Sequence, residues 1–270
     1  MAKGKLFFEE FSSPYLMAEA VKNRKNNGFF GHSSDREGGS FSGTESYMEA
    51  ERLLAYGDES IAARIEQGLA CVRASAPRNV TQTVYDVRGS APSVGRYIAG
   101  HPRSMMRRET VKRPQASARL VFDSSENCNV EAEDLLRAGV TALQLVYILE
   151  AAHVRTELSV CSYACDMRQG DRGLLLTRLK AGQEPLDVLK IAYPLAHPSF
   201  FRRHSFRWAE TLAGVTHHVS GYGSHLDKER TEAALKEAGR GDHLLINYSD
   251  CRASSFDAKR LAERLGIKLS

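Results

Sequence analysis

The chain has 270 residues, of which 42% are hydrophobic and 26% charged, and its formal net charge is +4. This composition excludes wholesale disorder and can support one large domain, or a domain with a substantial extension. No apolar run approaches the ~18 residues of a membrane-spanning helix. The first ten residues lack the apolar stretch of a signal peptide, so we expect a soluble, cytoplasmic protein without a membrane partner.

The cysteines are odd in number and form no Cys-x-x-Cys pair. Cys161 and Cys165 lie four residues apart in a strand-like run, which separates them by roughly 13 Å along a strand. That distance is too long for a disulfide. We therefore expect buried thiols in a reducing compartment.

The first 79 residues predict a helical region that packs on the core. A helix can begin at Pro14, with Ser12 or Ser13 as its N-cap. Segments 44–57 and 61–72 then predict a helical hairpin, because their apolar residues recur at helical spacing.

Residues 80–115 predict a strand over 80–88, a short helix near 94–99 and a basic connecting segment. Between residues 86 and 119, eight basic residues stand against two acidic ones, which gives a local net charge of +6. A concentrated basic segment in a nearly neutral protein favours contact with a polyanion.

A second basic cluster lies within residues 197–208, where arginines and histidines alternate with aromatic residues, as in surfaces that bind single-stranded nucleic acid. The candidate nucleic-acid-binding residues of the two clusters are Arg88, Arg96, Arg103, Arg107, Arg108, Lys112, Arg113, Arg202 and Arg203. For the first cluster, the alternatives are a solvated loop or an internal clamp on the acidic first helical turn at Glu131, Glu133 and Asp134. For the second, the alternative is an amphipathic helix with its arginines outside.

Residues 116–270 predict the main α/β domain. Strands are expected over 117–123, 154–163, 174–179 and 243–248, and helices from about 130 and over 185–212, 227–238 and 255–265. This order predicts a mostly parallel sheet with one antiparallel strand and with helices on both faces.

Polar side chains follow the first strand of this domain: Asp123, Ser125 and Asn127. Ligands of open α/β sheets usually bind at this end of a strand. The hard oxygen atoms of these residues suit Mg²⁺. The same residue types also cap loops and helix starts, so a purely structural role is the alternative.

Run 121–127, Val-Phe-Asp-Ser-Ser-Glu-Asn, together with this element order, resembles the von Willebrand factor A-type domain. In that family a first strand ends in Asp-x-Ser-x-Ser, and a long helix and an antiparallel strand pair follow. A later Thr and Asp complete a site for a divalent cation, usually magnesium, and an acidic group of a partner protein binds there. The resemblance implies Asp123, Ser125, Asn127 and Asp250 as metal ligands, with Asn127 replacing the second Ser; the later Thr has no clean match.

Segments 40–44, 86–90 and 100–102 also resemble uncharacterised proteins of tailed bacteriophages. That resemblance implies a location in the host cytoplasm or the virion.

Three functions follow from these patterns. The first is a non-enzymatic interaction or adaptor protein that binds a protein partner over the 123–127 loop, with possible help from Mg²⁺. The second is a nucleic-acid-binding protein that uses residues 88–113. The third is a metal-dependent phosphoesterase or transferase with Asp123 and Asp250 as ligands; no catalytic residue is assigned, because no familiar catalytic motif occurs in the sequence.

Overall fold

A computed structural model describes residues 4–25, 39–73, 81–110, 117–125, 130–152, 154–165, 170–212 and 228–267. The strands are β1 (Leu6–Phe11), β2 (Thr81–Asp86), β3 (Ala91–Pro92), β4 (Met105–Thr110), β5 (Ser117–Asp123), β6 (Arg155–Cys165), β7 (Arg172–Lys180) and β8 (Leu244–Ile246). The helices are α1 (Pro14–Lys22), α2 (Gly39–Ser42), α3 (Tyr47–Tyr56), α4 (Glu59–Arg73), α5 (Val94–Ile98), α6 (Ala132–Ala151), α7 (Val188–Ala196), α8 (Phe206–Thr211), α9 (Lys228–Glu237), α10 (Tyr248–Ala253) and α11 (Ala258–Arg264). A π-helix, Phe200–Ser205, lies between α7 and α8.

The main sheet has the order β1-β7-β6-β5-β8. Strand β5 is parallel to both β6 and β8, β7 is antiparallel to β6, and β1 is parallel to β7. The predicted α/β class with a mostly parallel sheet is confirmed. The prediction had one antiparallel strand, whereas two strands, β7 and β1, run opposite to β5, β6 and β8. The carboxyl ends of β5, β6 and β8 therefore share one edge of the sheet, which we call the carboxyl edge.

Alternate residues of β5 divide the core between the two faces of the sheet, because successive side chains of a strand point to opposite sides. Leu120 and Phe122 belong to the larger apolar cluster, whereas Val121 belongs to the smaller one. Helix α9 contributes Ala234 and Leu235 to the smaller cluster. Helices α1, α3, α4, α6, α7, α8, α10 and α11 contribute to the larger cluster.

The N-terminal region differs from the prediction, since it is not purely helical. Helix α1 begins at Pro14 and Ser13 caps it, as predicted. The preceding residues form β1, which extends the sheet beside β7. Glu9 of β1 accepts two hydrogen bonds from the Arg24 guanidinium, both at 2.9 Å, and one from the indole nitrogen of Trp208 at 3.3 Å. These bonds tie the edge strand to the core.

Residues 81–110 form a separate three-stranded sheet with the order β2-β4-β3, in which both pairs are antiparallel. We call this segment the basic β-unit. A strand was not expected in the basic connecting segment, but part of that segment forms β4. Every side chain described between Thr83 and Arg108 is half-buried or exposed.

Within the described residues, no helix combines the length and the apolar character that are needed to cross a lipid bilayer.

Close packing of α6 on α7 gives a test of the fold. A Cβ atom added at Gly139 would lie 2.7 Å from the Ala196 Cβ and 3.2 Å from its Cα. Gly139→Ala should therefore push the helices apart and lower the free energy of unfolding by about 1–3 kcal/mol in urea denaturation. Gly182→Ala is the control, because a Cβ there meets nothing within 4 Å. Equal urea midpoints for Gly139→Ala and wild type would contradict the packing.

Candidate functional site at the carboxyl edge of the sheet

Asp123 is the last residue of β5, as expected, but its side chain is only 4% exposed. One carboxylate oxygen accepts a hydrogen bond from the backbone N–H of Ser125 at 2.9 Å. The other accepts one from the Thr231 hydroxyl of α9 at 3.1 Å. The carboxylate at this edge is thus buried against a helix and hydrogen-bonded on both oxygens.

The serines after Asp123 fasten the loop to strand β6. Ser125 Oγ accepts a hydrogen bond from the backbone N–H of Tyr163 at 2.9 Å. The Ser124 hydroxyl donates to the carbonyl oxygen of Cys161, also at 2.9 Å. Both serines are buried. Asn127, the third predicted ligand of this loop, lies outside the described residues.

Asp250 lies in the first turn of α10, directly after β8, and is 5% exposed. It forms a capping box with Asn247, whose side chain accepts from the Asp250 backbone N–H at 2.8 Å. Lys228 Nζ lies 2.6 Å from one carboxylate oxygen, and Arg264 Nε lies 3.2 Å from the other. The carboxylate thus faces two protein cations.

Helix α9 contacts both buried carboxylates of the carboxyl edge. Lys228 and Thr231 are three residues apart and so lie on the same side of the helix. The first binds Asp250 and the second binds Asp123. The two carboxylates that were predicted to bind a metal therefore both contact helix α9. Their oxygen atoms accept hydrogen bonds from groups of the protein itself.

This set of contacts does not fit a magnesium ion, which would have to displace protein donors from both carboxylates. Among the residues that the structure describes, no group of three or more His, Cys, Asp or Glu side chains is placed to hold a metal. The metal site at Asp123, Ser125, Asn127 and Asp250 stays a prediction, and the observed hydrogen bonds weigh against it.

Burial also sets the chemistry of the thiol beside this edge. It raises the pKa of Cys161 well above its ordinary value, and the nearby Asp123 charge raises it further. A thiol that stays protonated is a poor nucleophile. Among the described cysteines, Cys161 and Cys251 are buried and Cys165 is half-buried, and none of these three forms a disulfide.

The basic β-unit places several predicted nucleic-acid-binding arginines at the surface. Arg88, Arg103, Arg107 and Arg108 are exposed. Arg96 is half-buried and stacks over the Tyr85 ring at 4.5 Å. Lys112 and Arg113 lie outside the described residues.

Arg202 and Arg203 of the π-helix are buried, so their prediction as a nucleic-acid surface is wrong. Arg203 is 0% exposed and donates to the hydroxyl and the carbonyl oxygen of Thr44 at 2.8 and 2.7 Å. Arg202 donates to the carbonyl oxygens of Phe41 and Val130. Both side chains hold backbone segments together inside the fold, where a phosphate cannot reach them.

A family model described as Domain of unknown function (DUF7192) matches residues 4–268. The chain belongs to this family. No curated protein and no solved structure matches the DUF7192 chain.

The π-helix of this DUF7192 family member is linked to the carboxyl edge by a row of buried hydroxyl groups. Ser124 Oγ lies 2.9 Å from Ser162 Oγ, and the Ser162 hydroxyl donates to Ser205 Oγ, also at 2.9 Å. The sequence did not reveal this row, because its members come from three distant segments. Short π-helices are frequent at functional sites, but the contacts of this one are structural.

The buried His204 next to this row gives a test by pH. The pKa of His204 is lowered to about 4, and the largest cause of this shift is burial of the ring. The Tyr47 hydroxyl lies 3.3 Å from the Nδ1 atom of His204. Between pH 6.5 and 4 the unfolded chain therefore binds a proton at His204 that the folded chain does not. The contribution of the neutral His204 imidazole to stability is therefore fully present above pH 6.5. Its loss lowers the free energy of unfolding by about 2 kcal/mol on going to pH 4.5.

His204→Phe keeps an aromatic ring but removes the titration, so the loss of stability from pH 7 to pH 4.5 should shrink by that amount in denaturant titrations. His101→Ala, at an exposed position, is the control and should keep the wild-type pH dependence. An unchanged pH dependence in His204→Phe would contradict the buried neutral imidazole.

Proposed function

We propose that this DUF7192 protein is a non-enzymatic interaction protein and that it binds a protein partner through the basic β-unit. One observation carries the proposal: this segment exposes large apolar and basic side chains together. The docking site expected over the 123–127 loop has less support, because its described side chains are buried and hydrogen-bonded to the protein.

The apolar part of the surface lies mainly on helix α5. Val94, Tyr97 and Ile98 follow the i, i+3, i+4 spacing of one helix face and are 65%, 73% and 78% exposed. Val87 and Tyr85 add further exposed apolar area. Contiguous exposed apolar groups are typical of interaction sites, since they gain from burial against a partner.

The basic part of the surface indicates the charge of the partner. Arginine and tyrosine are enriched among the residues that contribute most to protein interfaces, and both occur here. Exposed Arg88, Arg103 and Arg108 attract an acidic surface and repel a second copy of the same unit. An acidic protein segment is thus the partner that the charges favour.

The edge of strand β2 offers a way for such a segment to bind. Within the described residues, β2 pairs with β4 on one side only. An extended peptide can add to a sheet edge of this kind through backbone hydrogen bonds. We propose this mode of binding for the acidic partner.

The order of elements after residue 116 supports a von Willebrand factor A-like assignment for this part of the chain. Strand β5 is followed by the long helix α6 and then by the antiparallel pair β6 and β7. The same order characterises that family, in which partner binding is the usual role. Strand β1, which comes from the N-terminal region, is an addition to the pattern.

The test compares variants in pull-downs from nuclease-treated lysate of the native host. Tyr97→Ala with Ile98→Ala should weaken binding of a partner at least tenfold, which corresponds to about 1.4 kcal/mol. Met48→Ala with Tyr56→Ala is the matched control, because both side chains are more than 70% exposed elsewhere in the chain. The proposal would be contradicted if the Tyr97→Ala, Ile98→Ala variant kept the partner and Asp123→Ala lost it. That result would place the binding site at the carboxyl edge.

Nucleic-acid binding through the same basic β-unit is the second candidate function. Its support is the set of arginines at the surface and the stacking of Arg96 on Tyr85. Surfaces for single strands combine cations with aromatic side chains in this way.

Gel-shift titrations with single- and double-stranded DNA and RNA at about 50 and 200 mM salt test the second candidate. If the arginines contact phosphates, affinity falls steeply with salt, and Arg103→Ala with Arg108→Ala lowers the salt slope by about 1.4–1.8. Absence of any shift at the lower salt concentration would exclude this function.

The metal-dependent phosphoesterase or transferase has the least support of the three proposals, because Asp123 and Asp250 already have protein donors. The bacteriophage setting, with a place in the host cytoplasm or the virion, stays a prediction from the sequence.

A further inference from the structure

The position of one lysine at the carboxyl edge carries an inference that is independent of partner binding. Lys228 is the first described residue of α9, and its Nζ atom lies 2.6 Å from Asp250 Oδ2. The Asp250 side chain is 7% exposed and that of Lys228 is 28% exposed, so the pair is largely shielded from water.

We propose that Lys228 is a built-in cation that takes the place of a divalent metal at the carboxyl edge, so that α9 covers this edge without a metal ion. The carboxylates of Asp123 and Asp250 end adjacent parallel strands or follow them directly. A carboxylate that is held out of water needs compensation by a positive charge or by hydrogen bonds. The lysine supplies the charge, and Thr231 on the same helix supplies a hydrogen bond.

The contacts of each carboxylate oxygen favour a lysine over a metal ion. Asp250 Oδ2 binds Lys228 and Asp250 Oδ1 binds Arg264, so a divalent ion placed there would meet two positive charges. The two oxygens of Asp123 accept from Ser125 and Thr231. Mg²⁺ demands a near-octahedral shell of oxygen atoms, which these donors would have to vacate.

The lysine is also well placed to hold the helix in position. Helix α9 packs Ala234 and Leu235 into the smaller apolar cluster on the sheet. Its first turn is fixed at the edge by Lys228 and Thr231. An apolar contact at one end and a charge-assisted hydrogen bond at the other define the direction of the helix across the sheet.

The experiment measures thermal melting of the full chain in EDTA and in 5 mM MgCl₂ at matched ionic strength. Wild type should melt at the same temperature in both buffers. Lys228→Met, which keeps the aliphatic stem but not the charge, should melt roughly 5 °C lower in EDTA. Mg²⁺ should restore part of that loss, because Asp250 Oδ2 then lacks the cation that binds it.

Two further variants separate the charge from general effects of substitution. Lys228→Arg should melt close to wild type, because it keeps a positive charge within reach of Asp250. Lys236→Met removes an exposed lysine from the same helix and should melt like wild type in both buffers.

Three results would overturn the inference. One is stabilisation of the wild-type protein by Mg²⁺, and another is wild-type melting of Lys228→Met in EDTA. The third is a destabilised Lys228→Met on which Mg²⁺ has no effect, since the lysine would then be a structural anchor and not a replacement for a metal. None of these results bears on the basic β-unit, so they leave the proposed partner surface to its own test.

Discussion

Helix α9 meets the carboxyl edge of the main sheet through Lys228 and Thr231, which bind the buried carboxylates of Asp250 and Asp123. This edge is where an open α/β sheet normally binds its ligand, because the loops that follow parallel strands diverge there. In this chain the edge is occupied by the protein's own side chains. A carboxylate withdrawn from water must be hydrogen-bonded or paired with a cation, and the helix meets that requirement for both residues.

The same principle explains the other polar groups of the interior. Arg203 is fully buried, and its guanidinium donates to a hydroxyl and a backbone carbonyl oxygen of Thr44. The buried Lys180 ammonium binds Glu150 and the carbonyl oxygen of Thr156. These interior cations connect separate segments of the chain and so stabilise the fold. The basic β-unit has the opposite character, since its apolar and basic side chains are exposed, and this contrast is why partner binding is placed there.

Local signals in the sequence predicted much of the fold. Helical periodicity and N-caps identified α1, α3, α4, α6 and α9, and apolar runs identified β5 to β8. Strand β1 was missed because its partner residues in β7 lie 166 residues away, and no local pattern specifies that pairing. Strand β4 was missed because its arginines suggested a solvated segment. The burial of Asp123 depends on Thr231, 108 residues later. The position of Asp123 at the end of a strand could therefore be predicted from local residues, but its closed environment could not.

Hydrogen exchange of the protein alone, with and without Mg²⁺, tests most directly whether the carboxyl edge is closed by internal contacts. The backbone N–H groups of Ser125, Tyr163 and Asp250 each donate to a side-chain oxygen of this network. We predict that these three amides exchange slowly and at the same rate in both conditions. Rapid exchange at these positions that slows when Mg²⁺ is added would contradict the closed edge, and would indicate a metal site instead.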